Sequence, residues 1–131
     1  MPEKRKYLRL AVKGNIALHP ESDPAQTFKG ELVDVGFSGL GAIFKELIET
    51  DLIVQFKCEI KIEFKTGNVK IPFSGKGIIV NVRDMIKNNI RSYRCGLKFI
   101  DMEKEIITRL LNSIQSEMNR QKRQMQKKKY L

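Results

Sequence analysis

Between Val54 and Phe64 every second residue is apolar: Val54, Phe56, Cys58, Ile60, Ile62 and Phe64 alternate with mostly polar neighbours. A period of two puts one set of side chains in a core and the other in water, which a strand does and a helix cannot. Thr66-Gly67-Asn68 then reverses the chain, and Val69, Ile71 and Phe73 begin a return strand that resumes over Ile78 to Val82. Gly75 and Gly77 mark an expected bulge or sharp bend within it. The result is a long hairpin, the largest piece of structure the sequence dictates.

Other segments follow the same rule. Leu8, Leu10 and Val12 alternate with polar or small residues, and Ile16 and Leu18 resume after Gly14-Asn15, predicting a first strand broken at that pair. His19 to Gln26, with Pro20 and Pro24, reads as a loop, and Phe28 to Val35 as a second strand. Gly36 to Gly41 reads as a glycine-rich turn running into an apolar stretch ending at Phe44. Asn88-Asn89 predicts a turn before a last strand from Arg91 to Ile100, where Tyr93, Cys95, Leu97 and Phe99 alternate.

After Asp101, read as an N-cap, Ile106, Ile107, Leu110, Leu111, Ile114 and Met118 recur at helical spacing, with Glu103 and Glu105 placed for the first turn. Several short strands followed by one amphipathic helix predict an all-β domain, an antiparallel barrel or sandwich with a terminal helix against it.

A chain of 131 residues suits one such domain. No apolar run approaches the roughly 20 residues of a membrane span, and the start lacks a signal peptide's apolar stretch, so a cytoplasmic protein without stable membrane insertion is expected. Cys58 and Cys95 are spaced like neither metal ligands nor a disulfide framework, and both fall in phase with apolar strand positions, so reduced, buried thiols are expected. Arg120, Lys122, Arg123, Lys127, Lys128 and Lys129 supply six of the +10 net charges, leaving four on residues 1–118. The high charge therefore says little about the folded body binding long nucleic acid. The tail suits solvent, an anionic membrane surface, an acidic partner or a second protomer.

Catalytic constellations are not evident. His19 is the only histidine, beside Pro20 and without clustered carboxylates or thiols. Gly36-Phe37-Ser38-Gly39-Leu40 departs from a GxSxG nucleophile elbow at Leu40, and the chain is short for a hydrolase sheet. An enzyme is the class least favoured.

Two segments are rich in groups that grip guanine and phosphate. Arg5-Lys6-Tyr7-Leu8-Arg9 offers two planar guanidinium forks that match phosphate oxygens and guanine O6 and N7 and can stack on a base. Asp34-Val35-Gly36-Phe37-Ser38-Gly39 offers a carboxylate able to accept from guanine N1 and N2, beside glycines that admit a ligand to the backbone.

These segments resemble the signature of the PilZ family, an RxxxR motif at the domain start and a [D/N]xSxxG motif about one hairpin later. Arg5 and Arg9 match the first. Asp34 and Gly39 match the second, where Gly36 stands in place of the serine. The segment from Tyr93 to Asp101 also resembles the family's last strand, and the likeness covers about residues 4–118.

The resemblance implies a six-stranded antiparallel PilZ-type β-barrel over residues 10–101. A flexible arm would occupy residues 1–9, a C-terminal helix 102–118, and a basic tail 119–131, helical or frayed. It also implies a cyclic di-GMP receptor without a cofactor, the ligand lying between the arm and the second motif through Lys4, Arg5, Arg9, Asp34, Gly36, Ser38 and Gly39. Ligand binding would rearrange the arm and signal to an effector protein, with Lys4 bearing on ligand stoichiometry. Losing the serine hydroxyl at Gly36 removes one hydrogen bond, about 0.5–1.5 kcal/mol, so weakened binding is expected. The alternatives are a degenerate adaptor with little nucleotide affinity and a basic barrel for RNA or single-stranded DNA. Ile107, Leu111 and Met118 are candidates for a self-associating helix face.

Overall fold

A computed structural model describes residues 9–129, the side chains through Gln124. Seven strands precede one helix: β1 (Arg9–Ala11), β2 (Lys13–Pro20), β3 (Phe28–Gly36), β4 (Gly39–Phe44), β5 (Ile53–Phe64), β6 (Gly67–Lys87), β7 (Ile90–Ile100) and α1 (Lys104–Lys129). Every pairing is antiparallel. The order β3-β2-β5-β6-β7-β4 closes on itself through the β3–β4 pair, making a six-stranded barrel, and β1 lies in line with β2 along β3.

The alternation that marked the hairpin is the barrel's inner surface. Val54, Phe56, Cys58, Ile60 and Ile62 are all buried, and β5 pairs with β6 in unbroken register from Ile53↔Ile78 to Phe64↔Gly67. Phe56, Phe73 and Phe99 form an aromatic cluster with ring centroids 5.4–5.7 Å apart. Helix α1 packs against β5 and β6 and sends Leu110 and Ile114 into the same core.

Several local expectations need correction. The first strand breaks at Val12, whose N–H still donates to the Val33 carbonyl at 3.0 Å, rather than at Gly14-Asn15. Gly14 instead lies within β2 at φ 152, where a side chain would strike the Glu59 carbonyl. His19 and Pro20 belong to β2, not to a loop, and Thr27 Oγ1 lies 3.2 Å from His19 Nδ1. Gly75 and Gly77 stay in register with Phe56 and Val54, and the register shift of β6 falls at Val80, between Ile79 and Asn81. The turn after β3 is only Phe37-Ser38.

Asp101 is not the N-cap. It takes a left-handed conformation, φ 53, that turns the chain out of β7, and the first helical hydrogen bond runs from Ile107 N–H to the Glu103 carbonyl at 3.3 Å. The helix continues to Lys129. Gln121 donates to the Glu63 carbonyl at 2.6 Å, and the Arg120 guanidinium lies 4.3 Å over the Phe64 ring, so the β5–β6 turn holds the helix well past Met118. Ile107 is buried, and Leu111 and Met118 pack on the domain's own core, so these residues serve the fold instead of forming a free helix face.

Candidate functional site

Asp34 would face the core if β3 alternated regularly after Leu32. A register shift between Leu32 and Asp34 turns it outward, while Val35 returns to the core with full burial. There Asp34 opens a row of directly paired residues across four strands: Asp34 on β3, Gly41 on β4, Gly96 on β7 and Asn81 on β6. The two glycines leave bare backbone between two polar side chains. A Cβ on Gly41 would stand 2.9 Å from Asp34 Oδ1, and one on Gly96 would stand 2.8 Å from Asn81 Nδ2, so both side chains lean over the glycine floor.

Arginines wall this floor. Arg9 donates to Asp34 Oδ1 through Nη2 at 2.7 Å and Nε at 3.2 Å, and Arg94 Nη2 lies 3.3 Å from Oδ2. The Asp34 side chain is only 12% exposed, and these two guanidiniums are its ion-pair partners. Arg83 lies directly across from Arg94 on the β6–β7 pair. It has no ion pair or side-chain hydrogen bond among the described residues. Like charges abreast on neighbouring strands repel, and only Arg94 has a carboxylate to offset this. The cavity lined by Arg9, Asp34, Gly41, Asn81, Arg83, Arg94 and Gly96 measures about 430 Å³.

Of the residues singled out from sequence, Arg9 and Asp34 meet here. Gly36 is the cross-strand partner of Arg9 in the β1–β3 pair and is buried. Ser38 is exposed in the turn, and its carbonyl accepts from Phe99 N–H at 2.9 Å. Gly39 is buried against β7, where a side chain would strike the Leu97 carbonyl. Gly36, Ser38 and Gly39 do not line the cavity. Lys4 and Arg5 lie outside the described residues. Sequence reasoning missed Gly41, Asn81, Arg83, Arg94 and Gly96. The one available signal was Arg94-Cys95-Gly96 in a strand whose alternation sends Arg94 and Gly96 to the face opposite buried Cys95.

Such a set of groups can hold a ligand. Guanidinium forks suit phosphate, the carboxylate and amide can read a base edge, and the glycine floor admits a flat ring. No group of three or more potential metal ligands occurs among the described residues. None of the described helices is long and apolar enough to cross a membrane. Burial pushes the Cys58 thiol up to about 12 and that of Cys95 up to about 11.

A closed six-stranded barrel with a terminal helix packed against it, carrying an outward arginine and aspartate cluster beside a glycine floor, defines the class of small β-barrel domain to which the chain belongs. The model of the PilZ domain matches residues 3–116, and the chain belongs to that family. Among solved structures, the c-di-GMP-bound PilZ domain of YcgR from Escherichia coli matches at a TM-score of 0.64 with 14% identity, over 90% of this chain and 96% of that one. YcgR from Escherichia coli in complex with c-di-GMP matches at 0.60 with 18% identity, over 90% of this chain and 49% of that one. The Bacillus subtilis inhibitor of motility MotI/DgrA matches at 0.57 with 12% identity, over 89% and 53%. This chain thus spans about half the length of the latter two. No curated protein matches.

Proposed function

We propose that this domain binds cyclic di-GMP in the arginine-walled cavity and passes the event to a partner protein through its N-terminal arm. The observation that carries this reading is the pairing of Arg9 and Arg94 with Asp34 beside Arg83, which has no ion pair among the described residues. Without ligand, Asp34 accepts from Arg9 and Arg94. A doubly charged cyclic dinucleotide offers phosphate oxygens to the same guanidiniums and, through guanine N1 and N2, new donors to the carboxylate. Binding is then an exchange of partners that keeps every buried charge compensated. Arg9 is the first residue of a three-residue strand, so changing its partner reorients the chain entering the barrel. The YcgR structures found in complex with c-di-GMP support this reading.

Isothermal titration of the purified protein with cyclic di-GMP is expected to show saturable heat. Arg9→Ala and Asp34→Ala should each weaken it about tenfold or more, the loss of a charge-assisted hydrogen bond. Absence of binding into the high micromolar range, or full affinity in Arg9→Ala, overturns the assignment.

Gly36 favours a second reading. It stands opposite Arg9 without a hydroxyl, as in a module that has shed its nucleotide affinity and works as a protein adaptor. In that case the native protein gives no heat and Gly36→Ser creates binding.

A further inference from the structure

Beyond the cavity, β6 and β7 outrun their neighbours. Pairing of β5 with β6 ends at Ile53↔Ile78, and pairing of β4 with β7 ends at Phe44↔Tyr93. From Asp84 to Ser92 the two strands therefore pair only with each other, as a ribbon standing off the barrel, closed by Asn88 and Asn89 at φ 52 and 63.

Its tip is unusual for a solvent-exposed hairpin. Ile86 is 67% exposed and Ile90 62%, the first and third most exposed large apolar side chains of the described residues. Ile86 lies directly opposite Arg91, and Ile90 directly opposite Lys87. Successive pairs project to opposite faces, so each face of the tip presents one isoleucine abreast of one cation. Neither Lys87 nor Arg91 has an ion pair among the described residues.

A groove on a protein partner covers one face of a ribbon and would leave the second isoleucine in water. A medium that surrounds the tip satisfies both at once. Apolar tips backed by unpaired cations fit the boundary between acyl chains and anionic headgroups.

We propose that the β6–β7 ribbon is a peripheral membrane-docking element, its isoleucines entering the interface of an anionic bilayer while Lys87 and Arg91 meet lipid phosphates. The contact is shallow and reversible. It is independent of the nucleotide reading, because it needs no ligand and uses none of the residues around Asp34.

The test is co-sedimentation of the full chain with vesicles of phosphatidylcholine, alone or mixed with phosphatidylglycerol. Binding is expected only with the anionic vesicles. The double variant Ile86→Asp/Ile90→Asp should lower it about tenfold or more, and Lys87→Ala/Arg91→Ala should do likewise. If the basic end of α1 alone held the vesicles, both double variants would sediment like the parent, and the proposal would be overturned.

A second readout does not depend on loss of binding. The chain contains no tryptophan, so Ile90→Trp introduces a single reporter. Its emission is expected to shift to the blue with anionic vesicles and to stay unchanged with neutral ones. An unshifted spectrum with anionic vesicles would overturn the proposal.

Discussion

Asp34 keeps its place because residue 41 has no side chain. A Cβ there would stand 2.9 Å from Asp34 Oδ1, closer than such contacts tolerate, and the carboxylate is already fixed by Arg9 and Arg94. Gly41→Ala should therefore displace Asp34 and loosen both ion pairs, costing about 1–3 kcal/mol of stability by denaturant unfolding. Under the proposed function it should also weaken cyclic di-GMP binding. Stability and affinity equal to the parent would show that the glycine floor is unnecessary. Asp34 and Arg9 were legible in the sequence because each sits in a short, recognisable segment. Gly41, Asn81, Arg83 and Gly96 were not, because a glycine or asparagine in a strand signals nothing locally. Arg94 lies 60 residues from Asp34, and only closure of the barrel unites them.

Among the elements, those with strict periodicity were readable, and the misplaced bulge of β6 fell where that strand changes neighbours. β6 trades β5 for β7 along its length, and the extra residue of that handover is Val80, a β-branched residue that carries no turn signal. Gly75 and Gly77 looked like bulge markers, yet their missing side chains make room for Phe56, Met102 and Leu97 in regular strand. The helix was legible from its apolar stripe, but its extension to Lys129 depends on contacts with Phe64 and the Glu63 carbonyl that no local pattern announces. Ile114 anchors that helix, fully buried in the barrel core. Ile114→Ala should cost about 2–5 kcal/mol in denaturant unfolding, since the closed barrel leaves little freedom to collapse around the cavity. A loss under about 1 kcal/mol would mean the helix is a loosely held accessory rather than part of the core.

At the scale of the molecule, closure makes the strands interdependent, and the two thiols report on it. Cys58 on β5 and Cys95 on β7 are both buried, on strands separated in the ring by β6. Burial raises both from the ordinary 9.0, to about 12 and about 11, so near pH 8 neither holds appreciable thiolate in the folded state. The neutral thiol is favoured in the fold. Its contribution to stability is therefore complete below pH 9 and is lost as pH rises toward 11 and 12. At pH 8 in graded urea, labelling by iodoacetamide followed by mass spectrometry should give only unlabelled and doubly labelled chains, converting at the global unfolding midpoint. A singly labelled population well below that midpoint would show one part of the ring opening alone. If the thiol concerned were Cys95, the β6–β7 wall bearing Arg83 and Arg94 would separate before the β5 side, and the cavity would be the weakest part of the barrel.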